Sequence, residues 1–237
     1  YLEDTDEAGM ARLRDTASGL GLTMQVSALP DTNWEESWKD SYPPQEVGAS
    51  LVVLPYWLEN EETDRKKIIL DPGLTFGTGA HPSTQMVMET MEEAVRPGFR
   101  CLDLGSGSGI LSITALRLGA ETATIVYRRS EEEMPARVEE VHHAKQEGVQ
   151  FLTLHNPLRY EADDQGHVQH IVLQQMELGE PDASGRRRPV PIEGAVTQLP
   201  VDLVIVSIGV SPNPIVPRSV EGLELGRKGT ILSLIHN

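Results

Sequence analysis

Two short runs hold residues whose types and spacing could do chemistry. In "CLDLGSGSGIL", Asp103 sits at the end of an apolar run, and Gly105, Gly107 and Gly109 follow at alternate positions. Glycine accepts positive φ and has no side chain to strike a ligand. This spacing therefore suits a sharp strand-to-helix turn that a nucleotide can approach closely. Ile110 stands where a dinucleotide fingerprint would place its third glycine, so the run reads G-x-G-x-G. In the second run, "TIVYRRS", a further apolar stretch ends in Tyr127, Arg128 and Arg129. Paired guanidinium groups at a strand end can receive a ribose 2′-phosphate through charge-assisted, often bidentate bonds. The plainer alternative at that place is a solvated arginine pair.

Other candidates are weaker. His81, Ser83 and Thr84 lie together in "GAHPSTQ", but no third partner completes a nucleophilic triad. His142 and His143 are adjacent, so on a helix they point about 100° apart and cannot readily chelate one ion. The run "SEEEMPARVEEVHH" is read as a solvated face, and no metal site is predicted. Arg186, Arg187 and Arg188 read as an exposed basic loop tip.

The elements that must position these residues can be placed coarsely. "MARLRDTASG" is helix-like, Gly19 and Gly21 break it, and an apolar strand is predicted to about residue 29. Trp34 and Trp38 lie four apart on one predicted helical face, ahead of Pro43 and Pro44. "SLVVLPYW" and "KKIILD" read as strands, and a helix is predicted to start near Pro82. A strand, the glycine turn, a helix and a second strand follow over "FRCLDLGSGSGILSITALRLGAETATIVY". A helix is predicted over 130–147 with Gly148 as its stop, then hairpin-like strands around Gln165 and Gly166. "GEPDASGRRRPVPIEG" reads as a loop, and "VDLVIVSIG" as a strand of the buried parallel type.

The chain has 237 residues, 39% hydrophobic and 24% charged, which describes a globular protein with an ample core. A net charge of −16 argues against direct binding to nucleic acid or to an acidic membrane, since phosphates would be repelled. No apolar run approaches the ~20 residues of a membrane span. The single Cys101 excludes an internal disulfide and fits a cytoplasmic protein. A start at Tyr1 and an end in "LSLIHN" read as a piece of something longer.

With "LDPGLTFGTGAHPSTQ" at 70–85 and the glycine run at 101–121, the chain resembles the PrmA-type methyltransferases, which modify a large-subunit ribosomal protein. "NWEESWKDSYPP" and "LVVLPYW" look like that family's linker. The resemblance, over about 1–121, implies S-adenosylmethionine as cofactor. Thr84, Asp103, Gly105, Gly107 and Gly109 would hold it, Phe76 to Gly79 would close over it, and a ribosomal protein would be the substrate. In that family the second strand ends in an acid that grips the ribose hydroxyls. Here the position holds Tyr127, and the family's later Asn-containing motif is not found.

From about 114 to 230 the chain resembles the small chain of NADPH-dependent glutamate synthase. "TIVYRRSEEEMPARVEEVHHAKQEGV", "VLQQMELGEPDASGRRRPVPIEG" and "VDLVIVSIGVSPNP" carry this second likeness. It implies NADPH held by Arg128 and Arg129, and the glutamate synthase large chain as partner. No complete FAD site is found, and one cysteine cannot ligate an iron–sulfur cluster, which takes about four.

The expected fold is α/β: a Rossmann-like βαβ nucleotide-binding domain with a β-meander, plus a small N-terminal α/β region. The expected divisions are 1–60 (partial N-terminal region and linker), 61–121 (methyltransferase-like cofactor half) and 122–237 (NADPH-domain half). The expected function is a methyltransferase fragment fused to a glutamate synthase small-chain fragment and inactive as a whole. An NADPH-dependent oxidoreductase fragment, and a non-functional fusion with weak nucleotide binding, stay open beside it. So does the origin of the join, by natural recombination, deliberate chimera or artefact.

Overall fold

The computed structural model describes residues 7–26, 39, 42–71, 79–181, 185–207, 214–220, 223–226 and 229–231. The chain divides into two compact units, 1–42 and 43–237. In the first unit, α1 (Glu7–Gly19) ends where Gly21 takes a φ of 66°. The strand predicted next does not form over 22–26, where Leu22 and Val26 are exposed. No described strand of this unit is there to pair with them. Residues 27–29, Trp34 and Trp38 lie outside the described residues.

The second unit opens with a three-stranded sheet. β1 (Gln45–Val47) pairs antiparallel with β2 (Leu51–Pro55), which pairs parallel with β3 (Lys66–Leu70). β2 is buried along its length because both its faces are covered. Leu51 and Val53 join the main core, while Val52 and Leu54 pack with Ile69 and Leu58. The β1–β2 turn is held by Glu92 of α2 (Pro82–Ala94), whose carboxylate accepts from the Ala49 N–H at 2.9 Å and the Ser50 N–H at 2.6 Å. Burial pushes the Glu92 carboxyl up, but the bonds from Ser50 and Ala49, with Arg65 nearby, hold it below its ordinary value.

The central sheet is wholly parallel. It contains β4 (Arg100–Leu104), β5 (Thr122–Tyr127), β6 (Gln150–Thr153) and β10 (Leu203–Val206), in the order β10-β4-β5-β6. On one face lies α3 (Ile110–Leu118), burying Ile110, Leu111, Ile113 and Ala115 against a core that includes Cys101 and Ile125. Such a helix ends readily at a left-handed glycine, and Gly119 takes a φ of 108°. α4 (Val138–Gln146) adds Val141 and Ala144 to the buried residues. It is shorter than predicted, because Pro135 follows a 3₁₀ turn at Glu131–Glu133 and separates that turn from the helix.

The opposite face is closed by a meander of β7 (His155–Ala162), β8 (Val168–Pro181) and β9 (Arg187–Pro200). Ile171, Leu173 and Val201 pack there on Leu102, Leu104 and Val126. The β7–β8 turn falls at the predicted place, with Gly166 at φ 85°. The predicted loop through Gly194 is mostly strand instead: β9 pairs Pro189 with Leu178 and Pro191 with Met176. Its prolines are tolerated because β9 is an edge strand, where a missing N–H breaks no ladder. A short helix, α5 (Ile215–Ser219), follows β10.

Contacts between distant segments knit this unit. Arg100, at the start of β4, donates from Nε and Nη2 to the two Asp202 oxygens at 2.8 and 2.9 Å, and Asp202 Oδ2 also accepts the Arg100 N–H at 2.8 Å. Arg137 donates to the Asp71 carbonyl at 3.0 Å, and His143 Nε2 lies 2.8 Å from the Ile69 carbonyl. His143 is therefore half-buried structure, while His142 alone occupies the solvated face expected of both. Among the described residues no helix is long and apolar enough to cross a membrane.

Candidate functional site

The chain runs β4, β5, β6 in one direction across the sheet and then returns to place β10 on the other side of β4. In open parallel sheets, ligands bind outside the carboxyl ends of the strands where the order reverses. That point here lies between β4 and β10, and the glycine turn stands on it.

Gly105, Gly107 and Gly109 have φ of 88°, 55° and 84°, so all three use the left-handed region that other residues resist. Gly105 and Gly107 are exposed; Gly109 is buried and caps α3. A Cβ on Gly109 would sit 3.1 Å from the Ala144 Cβ of α4 and 3.6 Å from the Ile125 Cδ1. The turn thus offers bare backbone outward and lets α4 close against it inward.

Asp103 lies behind the turn, 1% exposed. Its Oδ2 accepts the Ser112 hydroxyl at 2.9 Å, and its Oδ1 has no partner among the described residues. Burial pushes its carboxyl up to about 7, although the Ser112 bond works the other way. Ser112 is a partner that sequence spacing did not single out; its place on the first turns of the helix, facing back to β4, is the signal that was available.

Thr84 is half-buried in the first turn of α2. His81 caps that helix, its Nδ1 accepting the Ser83 N–H at 3.2 Å. Gly79 is closely packed, since a Cβ there would meet Ile110 of α3 at 3.1 Å and Val53 at 3.2 Å. The rest of the loop expected to close over the site, Phe76 to Thr78, lies outside the described residues.

At the end of β5 the Tyr127 hydroxyl donates to the Glu133 carbonyl at 2.9 Å. Arg128 is exposed, with no partner among the described residues. Arg129 is half-buried and donates from Nε to the Arg187 carbonyl at 2.9 Å. At the end of β10, exposed Ser207 donates its N–H to the Leu104 carbonyl at 2.9 Å, which puts it beside the glycine turn. Sequence reading did not single Ser207 out, because nothing local marks a strand end as the neighbour of another. Cys101, also in β4, has its thiol pushed up to about 11 by burial and then by Asp202. A cavity of about 300 Å³ lies elsewhere, at the opposite ends of the strands, lined by Arg100, Thr122 and Thr124 among others. It is not the site the topology marks.

A parallel sheet with a glycine turn at its order reversal defines a Rossmann-like nucleotide-binding fold. The family described as ribosomal protein L11 methyltransferase (PrmA) matches residues 1–127, and the family described as pyridine nucleotide-disulphide oxidoreductase matches residues 107–233. The chain belongs to both families, to the first through β5 and to the second from within the glycine turn onward. The first match ends at Tyr127, and the two overlap over 107–127, the helix and strand that both folds build.

Among curated relatives, the ribosomal protein L11 methyltransferase of Legionella pneumophila (strain Lens) is 31% identical over 207 residues, 87% of this chain and 58% of the relative. That of Azotobacter vinelandii is 43% identical over 121 residues, 51% of this chain and 41% of the relative. The chain spans about half the length of these relatives. A solved structure of Mycobacterium tuberculosis FprA in complex with NADPH is 20% identical, with a TM-score of 0.47, covering 65% of this chain and 46% of that one.

Proposed function

We propose that the chain holds an adenine nucleotide at the carboxyl ends of β4 and β5. As joined, it performs neither methyl transfer nor hydride transfer at the rate of an intact enzyme. It is a ribosomal protein methyltransferase fragment fused to a glutamate synthase small-chain-like fragment, and its place is the cytoplasm. The observation that carries this is Tyr127. At the strand end where a ribose-gripping carboxylate is expected, a phenol gives its one proton to the Glu133 carbonyl.

S-adenosylmethionine, when bound, supplies a methyl group on a sulfonium cation. The residues that support binding are Gly105 and Gly107, exposed with positive φ, and Thr84, half-buried in the first turn of α2. Asp103 backs the turn from within the core, with its Oδ2 held by the Ser112 hydroxyl. By ancestry the acceptor is a ribosomal protein, but no described side chain is assigned to orient its amine.

A second reading rests on Arg128 and Arg129. Neither pairs with a carboxylate among the described residues, which leaves both guanidinium groups to meet the 2′-phosphate of NADPH. On this reading the ancestral partner is the glutamate synthase large chain.

Calorimetric titration of the full chain with S-adenosylmethionine tests the proposal. Tyr127→Asp restores a carboxylate, and a hydrogen bond to a charged group contributes about 1.5–3 kcal/mol. The variant should bind at least tenfold more tightly. An unchanged affinity, or methylation of ribosomal protein L11 by the unaltered chain at an intact enzyme's rate, overturns it.

A further inference from the structure

In sequence, Arg128 and Arg129 are remote from Arg186, Arg187 and Arg188. The fold brings the two groups together. Arg129 donates from Nε to the main-chain carbonyl of Arg187 at 2.9 Å, across 58 positions of the chain. A second tie fixes the same corner: the Leu154 N–H donates to the Arg129 carbonyl at 3.0 Å, and the Leu154 carbonyl accepts the Met176 N–H of β8 at 2.7 Å. Leu154 does this with a φ of 55°, the one positive value outside glycine among the described residues. A leucine held there implies that the surrounding bonds fix the backbone firmly.

Among the described residues, four of the arginines at this corner have no carboxylate partner. Arg65, Arg100, Arg117, Arg137, Lys145 and Arg159 all pair with carboxylates. Arg128, Arg129, Arg187 and Arg188 do not, among the described residues, although acids outnumber Lys and Arg by 36 to 20 in the chain. Among the described residues, Arg187 donates to the neutral carbonyls of Gly179 and Leu178, each at 3.2 Å, and to no carboxylate. Among the same residues, Arg129 engages its Nε, and both Nη groups of a planar fork suited to phosphate oxygens have no partner.

We infer that Arg187 and Arg188 of the β8–β9 hairpin, with Arg128 and Arg129, form one two-segment clamp for the dianionic phosphate at the 2′ position of a nucleotide ribose. The inference deepens the NADPH reading above and rests on it. The hairpin acts twice: its Arg187 carbonyl sets the orientation of Arg129, and its guanidinium groups add positive field to the clamp.

The probes are 2′,5′-ADP and 5′-AMP, titrated into the full chain at low and moderate salt. The unaltered chain should prefer 2′,5′-ADP by at least tenfold. R187Q/R188Q, exposed positions whose exchange leaves the core intact, should cut that preference about threefold to tenfold, flatten its salt dependence and leave 5′-AMP affinity unchanged. R129K keeps the charge but loses the Nε donor, and should lose preference by a similar factor if orientation matters. A preference that survives in both variants overturns the hairpin's role while leaving the NADPH reading intact. No preference in the unaltered chain overturns the NADPH reading, and the clamp with it.

Discussion

The two ends of the β4–α3–β5 unit, across which the two family matches overlap, are built to different demands. At the Gly109 end the matter is shape. Ala144 of α4 closes to within 3.1 Å of where a Gly109 Cβ would stand, and Leu173 and Ile171 of the meander fill against Leu102 and Leu104. At the Tyr127 end the matter is chemistry: a phenol gives its proton to the Glu133 carbonyl where, on the function proposed above, a methyl-donor site would want an acid. Apolar surfaces of the right size and backbone ladders in register suit any partner built on the same fold. A ligand contact needs one functional group at one place, and the general fit of the fold does not supply it.

That contrast can be tested first at the shape end, where effects should be largest. Leu173 is fully buried between the meander and β4, so Leu173→Ala should lower stability by about 2–5 kcal/mol. Denaturant melts would read this, and a loss under about 1 kcal/mol would mean the meander is only loosely seated. Next, Gly109→Ala should cost about 2–4 kcal/mol, combining a left-handed residue with crowding against Ala144. Gly107→Ala, equally left-handed but exposed, should cost only about 1 kcal/mol. Equal losses would show that α4 does not press on the turn.

The last effect, spread over pH, is expected from Asp103. Its carboxyl ionises near 7 in the folded chain against an ordinary 3.8, so between those values the folded chain keeps a proton that the unfolded chain has released. The contribution of Asp103 to stability should therefore be full below pH about 4 and decline toward pH about 7, by at most about 1.4 kcal/mol per pH unit. Asp103→Asn should flatten this slope in melts run across that range. A slope unaltered by the exchange would place the titration elsewhere.

Local patterns in the sequence carried much of this architecture. The apolar runs of β4 and β5, the alternate glycines between them, Pro82 at the start of α2 and Gly166 in its hairpin are all short-range signals, and each element formed where its signal lay. Failures arose where the outcome depended on a distant partner. The residues at 22–26 had strand character but no described strand of their unit to pair with. Residues 187–194 had loop composition, yet formed β9 because an edge position forgives Pro189 and Pro191. Within the site, the Arg129–Arg187 contact and the Asp103–Ser112 bond arise from folding alone, since nothing in either segment names the other.

The clasp between Arg100 and Asp202 closes a span of 102 positions, and β10 cannot reach β4 before that span exists. During synthesis, β4 can gain β5 almost at once, while its other edge stays open until the whole meander has emerged. An open inner strand is a template for the wrong neighbour, and slow, long-range pairing prolongs the hazard. The order in which the ribosome delivers the strands therefore leaves the middle of the sheet as its last vulnerable seam, and a nascent chain halted before Asp202 should be the form most in need of a chaperone.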